Sequence, residues 1–295
     1  MMRVISNKMG KHFSLFGKKR HYGLEKYDII RELGRGGTSV VFKISDRDTG
    51  KEYTCKTLFN NKVEDALRET KILRKLKNES HFPQLKRIIR GPENISIITK
   101  YVPGEELFEW FVDRLKCNRS QLTNQVIRHV FKKMAENTLR LHKNGFVHLD
   151  IKLENFIISR DDEMTLTMID FGSGHVYTNK SKDLTQLVGT RGYTPFEIYN
   201  GVYSHTADVW SLGVCLWLLF TRTSAFDHRS LNYNDLKEAN RFVFPTKTHL
   251  KYEGKIPDDA FILISKMLEF DADKRITITE VLSDPWLTVE NDLCL

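Results

Sequence analysis

Between Tyr27 and Tyr101 short runs of Val, Ile, Tyr, Phe and Thr alternate with turn residues. The runs predict strands at Tyr27–Leu33, Val40–Ile44, Glu52–Leu58, Gln84–Arg90 and Asn94–Tyr101. Asp46–Gly50 and the segment R-G-P-E-N supply turns between them. After the third run, Ala66, Leu67, Leu73 and Leu76, with Ile72 beside them, recur at helical spacing over Val63–Leu76. Pro103-Gly104 then punctuates the chain, and the period becomes helical at Leu107–Leu115 and Asn124–Lys143, with Gly145 as a stop for the second. Short strands follow at Phe156–Ser159 and Met164–Ile169, then a long loop to about Ser204. Further helices are expected near Ala207–Phe220, Asp258–Leu268 and Thr277–Ser283. The pattern predicts an α+β chain in two lobes. A small lobe has a five-stranded antiparallel sheet and one helix; a larger, mainly helical lobe follows, and the two join near Lys100–Glu105.

Composition narrows this only a little. With 295 residues, 40% hydrophobic and 28% charged, the chain can bury a substantial core. Its longest apolar run, Val209–Phe220, is broken by Ser211 and Gly213 and is too short to span a bilayer. No secretory signal is visible. Cys55, Cys117, Cys215 and Cys294 are far apart and lack C-x-x-C spacing, which argues against zinc and against a disulfide framework. A reducing compartment, cytoplasmic or nuclear, is the expectation. Cys294 is next to last and cannot begin a prenylation box.

The net charge is +8, and its placement is uneven. Arg3, Lys8, Lys11, Lys18, Lys19 and Arg20 all precede the first acid, Glu25. Residues 1–24 therefore read as a flexible basic extension suited to acidic surfaces, with Phe13, Leu15 and Phe16 as apolar anchors. Sequence-specific nucleic-acid binding is not expected, and composition leaves the oligomeric state open.

The chemistry gathers in a few segments. Val147–Ile158, V-H-L-D-I-K-L-E-N-F-I-I, sets His148, Asp150, Lys152 and Asn155 among apolar neighbours. Leu33–Phe42, L-G-R-G-G-T-S-V-V-F, places glycines where backbone can approach an anion without a Cβ clash, although a plain tight turn needs glycines too. No G-K-[ST] follows, so it is not a Walker A loop. Lys56 stands at a strand centre and needs a counter-charge if it points inward; Glu69 on the next helix could supply it. Downstream come I-D-F-G at Ile169–Gly172, G-T-R-G-Y-T-P-F-E at Gly189–Glu197 and A-D-V-W-S-L-G-V at Ala207–Val214.

In this order and spacing the segments resemble the eukaryotic protein kinase family over residues 25–288. The resemblance implies a small lobe over 25–100, a hinge at 101–105, a large lobe over 106–288 and a short tail at 289–295. It also implies a Ser/Thr kinase using ATP with Mg²⁺, or Mn²⁺ in its place, on protein substrates. Asp150 and Lys152 would be catalytic, the first orienting the acceptor hydroxyl and the second neutralising charge on the moving phosphoryl group. Asn155 and Asp170 would hold the metal. Leu33, Gly34, Arg35, Gly36, Gly37, Thr38, Ser39 and Val41 would cover ATP. Lys56, paired with Glu69, would hold its α- and β-phosphates. The backbone of Lys100, Tyr101 and Val102 would meet adenine, with Thr54 above it, Thr99 as gatekeeper, and Val41 and Ile157 on its two sides. His148, Phe171 and Trp210 read as packing, Asp208 as an anchor for the Asp150 loop, and Arg275 as the structural partner of Glu197.

D-I-K-x-x-N and Thr190 fit Ser/Thr acceptors, and D-P-W-L at Asp284–Leu287 resembles the calcium/calmodulin-dependent kinase group. Glu106 and Glu154 stand where basophilic kinases place acids, so a basic residue before the target is expected; Ser6 and Ser14 would then be autophosphorylation candidates. Several positions depart from the family pattern. Ser39 replaces a glycine, Thr54 replaces a small alanine, Pro195-Phe196 replaces Ala-Pro, and the interval from Lys56 to Glu69 is short. Leu149 replaces an Arg that pairs with a phosphorylated loop residue in many kinases, so a phosphate switch, at Thr185 for instance, is not expected. The rival readings are a pseudokinase scaffold that binds partners without phosphotransfer, and a small-molecule phosphotransferase of the aminoglycoside-kinase type.

Overall fold

The computed structural model describes residues 23–59, 63–117, 122–161, 163–177, 187–225 and 255–289. The basic extension up to residue 22, Thr185 and Cys294 lie outside these residues. The chain divides into two compact units, Met1–Leu67 with Leu85–Tyr101, and Arg68–Gln84 with Val102–Leu295.

In the first unit, β1 (Tyr27–Arg35), β2 (Ser39–Asp46), β3 (Glu52–Phe59), β4 (Leu85–Arg90) and β5 (Asn94–Lys100) form one antiparallel sheet in the order β1-β2-β3-β5-β4. Side chains alternate between its faces. Val40, Phe42 and Ile44 of β2 and Tyr53 and Cys55 of β3 join Leu24, Tyr27, Ile89 and Ile98 in a buried cluster. The opposite face carries Val41 directly across from Lys56, and Thr54 across from Lys43 and Thr99. Register shifts in β1, between Ile29 and Arg31 and between Glu32 and Gly34, explain why Ile30 and Leu33 are exposed despite their apolar character.

Helix α1 (Val63–Lys75) opens with Glu64 and Asp65 and closes with Arg74 and Lys75, matching its dipole. Ala66, Glu69, Thr70 and Leu73 form its buried stripe, with Ile72 and Leu76 buried beside it. Leu67, expected on that apolar face, is 44% exposed: the stripe runs through 66, 69, 70 and 73 and leaves 67 on the other side. Arg68–Gln84 falls within the expected small lobe yet groups with the second unit. There the Met168 amide donates to the His81 carbonyl at 3.0 Å, and Phe82 meets Phe171 edge-on.

The second unit contains α2 (Leu107–Cys117), α3 (Asn124–Lys143), α4 (Phe196–Tyr199), α5 (His205–Thr221), α6 (Asp258–Met267), α7 (Ile278–Leu282) and α8 (Pro285–Thr288). Short strands β6 (Glu105–Glu106), β8 (Phe156–Ile158) and β9 (Leu166–Met168) form one ribbon, and β7 (Phe146–Val147) pairs with β10 (His175–Val176). The stretch expected as one long loop to Ser204 thus includes β10 and α4, which are too short to show a hydrophobic period. Thr123 caps α3 by accepting from the Val126 amide at 3.3 Å; Asn144 ends the helix, and Gly145 follows at φ 82.

Helix α5 is buried almost all round and forms the core of this unit. A Cβ on Gly213 would lie 3.0 Å from Met267 and Leu268, so glycine lets α5 and the end of α6 approach closely. Arg275 is sealed beside α5. Its guanidinium donates to both Glu197 oxygens at 2.6 and 3.2 Å and to the carbonyls of Thr206 and Glu269. No helix among the described residues is long and apolar enough to cross a membrane.

Candidate active site

The polar residues of Val147–Ile158 occupy a loop between β7 and β8 that closes with a turn of 3₁₀ helix at Leu153–Asn155. Its apolar members Ile151, Leu153 and Phe156 are fully buried and fix it to the core. Asp208, on the first turn of α5, is also fully buried. It accepts from the backbone amides of His148 and Leu149 at 2.8 Å each, and from His142 Nε2 at 2.8 Å. Burial alone would raise this carboxyl; the hydrogen bonds from His142 and His148 outweigh it and hold the group below its ordinary value.

His148 is a packing residue. It is fully buried, its ring lies 5.4 Å from Phe171, its Nδ1 accepts from the Asp150 amide at 3.3 Å, and its Nε2 reaches the Ile169 carbonyl at 3.2 Å. That pattern fixes the proton on Nε2.

Three polar side chains converge on Asp150. Thr190 Oγ1 donates to Asp150 Oδ1 at 2.6 Å and accepts from Lys152 Nζ at 2.8 Å. Lys152 Nζ also lies 3.1 Å from Asp150 Oδ2. Asn155 Nδ2 donates to the Asp150 carbonyl at 2.7 Å and to Asp150 Oδ2 at 3.2 Å. The Asn155 carbonyl in turn accepts from the Ile169 amide at 2.8 Å, which ties this loop to Asp170. Asp170 takes φ 61 and accepts from the Gly172 amide at 3.1 Å.

Glu106 on β6 pairs in register with Ile157, and Glu154 is in the 3₁₀ turn. Burial, then the nearby Glu154 and Glu109, push the Glu106 carboxyl up, with Lys152 opposing. Glu154 Oε2 is buried with no hydrogen-bond partner among the described residues. Gly104 takes φ 143, and a Cβ there would overlap the Ile158 carbonyl, so the Pro-Gly punctuation lets the chain lie directly on β8.

The remaining expected site residues fall in both units. Leu33, Gly34 and Arg35 end β1, Gly36 to Thr38 form the turn into β2, and Ser39 and Val41 lie on β2. Thr54 and Lys56 are on β3, and Thr99 and Lys100 end β5 before Tyr101. Glu69, Val102 and Ile157 belong to the second unit. Two features escaped the sequence reading. One is His142, whose only trace is a histidine in the last turn of a helix. The other is the backbone of Leu149, at φ 63 in a region that leucine rarely adopts.

Comparison with known proteins identifies the family. The profile of the protein kinase domain matches residues 27–287. The chain is 30% identical over 296 residues to calcium-dependent protein kinase 14 of Arabidopsis thaliana, covering 96% of this chain and 54% of that protein. It is 30% identical over 280 residues to the serine/threonine-protein kinase cds1 of Schizosaccharomyces pombe, covering 88% of this chain and 58% of that protein. Calcium-dependent protein kinase 29 of Arabidopsis thaliana is 28% identical over 275 residues, 89% of this chain and 49% of its own length. The chain thus spans about half the length of the curated relatives it matches. Motif order, fold and profile agree that this chain belongs to the protein kinase domain family.

Proposed function

We propose that this chain is a serine/threonine protein kinase that transfers the γ-phosphoryl group of Mg²⁺-ATP to protein hydroxyls. The observation that carries this reading is the Thr190 hydroxyl held between Asp150 and Lys152. A hydroxyl that donates to the aspartate and accepts from the ammonium occupies the surroundings an acceptor Ser or Thr needs. Asp150 orients the acceptor O–H and takes its proton, and Lys152 balances the negative charge that builds up beside it.

The donor set suits Mg²⁺. Asn155 spends its amide nitrogen on Asp150, which leaves its amide oxygen as the donor, and Asp170 adds a carboxylate. Hard oxygens of this kind bind Mg²⁺, and Mn²⁺ as a substitute. The glycine turn suits phosphate. A Cβ on Gly34 or Gly37 meets nothing within 4 Å, so packing does not require glycine there, whereas close approach of an anion does. On the same sheet face as Val41, Lys56 supplies a cation for phosphate, and Thr54 and Thr99 line the base. Glu69 is 5% exposed on the buried stripe of α1, where a carboxylate needs a cation. When bound, Mg²⁺-ATP supplies the group that is transferred.

Glu106 and Glu154 favour a substrate with a basic residue before its target. The Glu154 oxygen, buried without a partner among the described residues, and the raised Glu106 carboxyl both improve when a cation arrives. Leu149 offers no cation to a loop phosphate, so activity does not wait for one. A Thr185→Ala enzyme keeps its activity on this reading, and near-complete loss with the fold intact contradicts it. The whole reading is tested by incubating the chain with labelled ATP, Mg²⁺ and a mixed protein substrate, then hydrolysing the product. Phosphoserine and phosphothreonine are expected, with transfer abolished by EDTA. Label on tyrosine alone, or on none of the three, refutes it.

A further inference from the structure

We infer that Leu149 and Val188 are positioning residues, an apolar latch that sets the Asp150 carboxylate against Thr190. The inference rests on the kinase reading above and adds how its catalytic geometry is kept. Val147, Leu149, Ile198, Tyr203 and Ala207 form one buried cluster, and Val188 and Tyr177 pack against it. Leu149 is 4% exposed although its backbone sits at φ 63. Such a conformation persists in leucine only when the surroundings over-determine it. Here they do. The Asp208 carboxylate holds the Leu149 amide at 2.8 Å, and the cluster holds the side chain.

The next two contacts continue the same alignment. Gly189, at φ +90, lies flat on Leu149, and a Cβ there would come within 2.5 Å of the Leu149 carbonyl oxygen and 2.7 Å of Thr194 Oγ1. Thr190 then reaches Asp150 at 2.6 Å. Successive residues therefore line up on this loop: Val188 packs on the cluster that holds Leu149, Gly189 lies beside the Leu149 carbonyl, and Thr190 makes the hydrogen bond to Asp150. The other described end of this long segment is held from the same side. The Tyr177 amide donates to the Gly145 carbonyl at 2.8 Å, His175 pairs with Val147, and Tyr203 Oη donates to the Val176 carbonyl at 3.3 Å. The contacts that Val188 and Gly189 make in the latch are apolar or backbone, and they need no added charge.

The test is steady-state kinetics of the full chain, before and after phosphatase treatment, with Val188→Asp, Val188→Thr, Val188→Ile and Gly189→Ala. Val188→Asp and Gly189→Ala lose kcat by on the order of 10²-fold, the cost of misplacing a reacting group by about an ångström. The KM for ATP stays near the wild-type value. Val188→Thr, of the same shape but polar, loses less, and its melting curve shows that the fold survives. Val188→Ile restores kcat, and phosphatase leaves the wild type active. A Val188→Asp enzyme with wild-type kcat, a loss shared equally by Val188→Ile, or a wild type silenced by phosphatase overturns the inference alone. A wild type with no transferase activity overturns the kinase reading and the latch with it.

Discussion

Asp208 places a charge in the core and spends it on three donors at once, the amides of His148 and Leu149 and the ring of His142. Removing it leaves those buried donors unsatisfied. Asp208→Ala is therefore expected to destabilise the fold by about 3–5 kcal/mol, measurable as a drop in denaturant midpoint. The sign with pH follows from its depressed carboxyl. Stability from Asp208 is fully present above the ordinary carboxylate range and is lost as pH falls through the lower folded value. An acid-unfolding curve shifted to higher pH in Asp208→Asn would agree; one that coincides with the wild type would not. Glu106 carries the opposite sign, because its carboxyl is raised. A basic peptide meets a charged Glu106 at neutral pH and a protonated one as pH falls. KM for a basic peptide should rise on acidification at a pH above the usual glutamate range, and the rise should vanish in Glu106→Gln. A KM that is flat with pH contradicts that role.

Elements show which signals survive in a sequence. The five strands of the first sheet and the long helices α3 and α5 were legible because each has a full period of apolar residues or a clear stop. Helix α3 lies at Asn124–Lys143, as its pattern predicts, with Thr123 and Gly145 at its ends. At Gly145 the chain turns at φ 82 with nothing near a Cβ, so Gly145→Ala is expected to cost about 1 kcal/mol through the backbone alone, read as a small fall in Tm. The two-residue strands and α4 were not legible, since they are made by tertiary pairing rather than by local pattern. At the candidate site, Asp150, Lys152 and Asn155 stood out as polar letters in an apolar run. The Thr190 bridge did not, because 38 positions separate it from Lys152 and only folding brings them together. Leu149 was visible as an unusual letter, but neither its φ nor its cluster was, because both depend on partners from Asp208 and Val188.

On the scale of the whole molecule, phosphoryl transfer requires that a nucleotide bind the folded chain and that its binding depend on a divalent metal. Mg²⁺-ADP at about 100 times its Kd should stabilise the protein by about 2.7 kcal/mol, seen as a rise in Tm that EDTA removes. A Tm unmoved by saturating Mg²⁺-ADP would argue for a scaffold rather than an enzyme. The chain spans about half the length of the kinases it is similar to, so the proposed substrate preference is argued from Glu106 and Glu154 of this chain. The most direct test of the central claim is the single-turnover rate of γ-phosphoryl transfer from Mg²⁺-ATP to a protein hydroxyl, for the wild type and Asp150→Asn side by side. Transfer by the wild type is expected, with a rate lower by about 10²–10⁴-fold in Asp150→Asn, the usual cost of losing a general base. Equal rates in the two proteins, or no transfer by either, would contradict it.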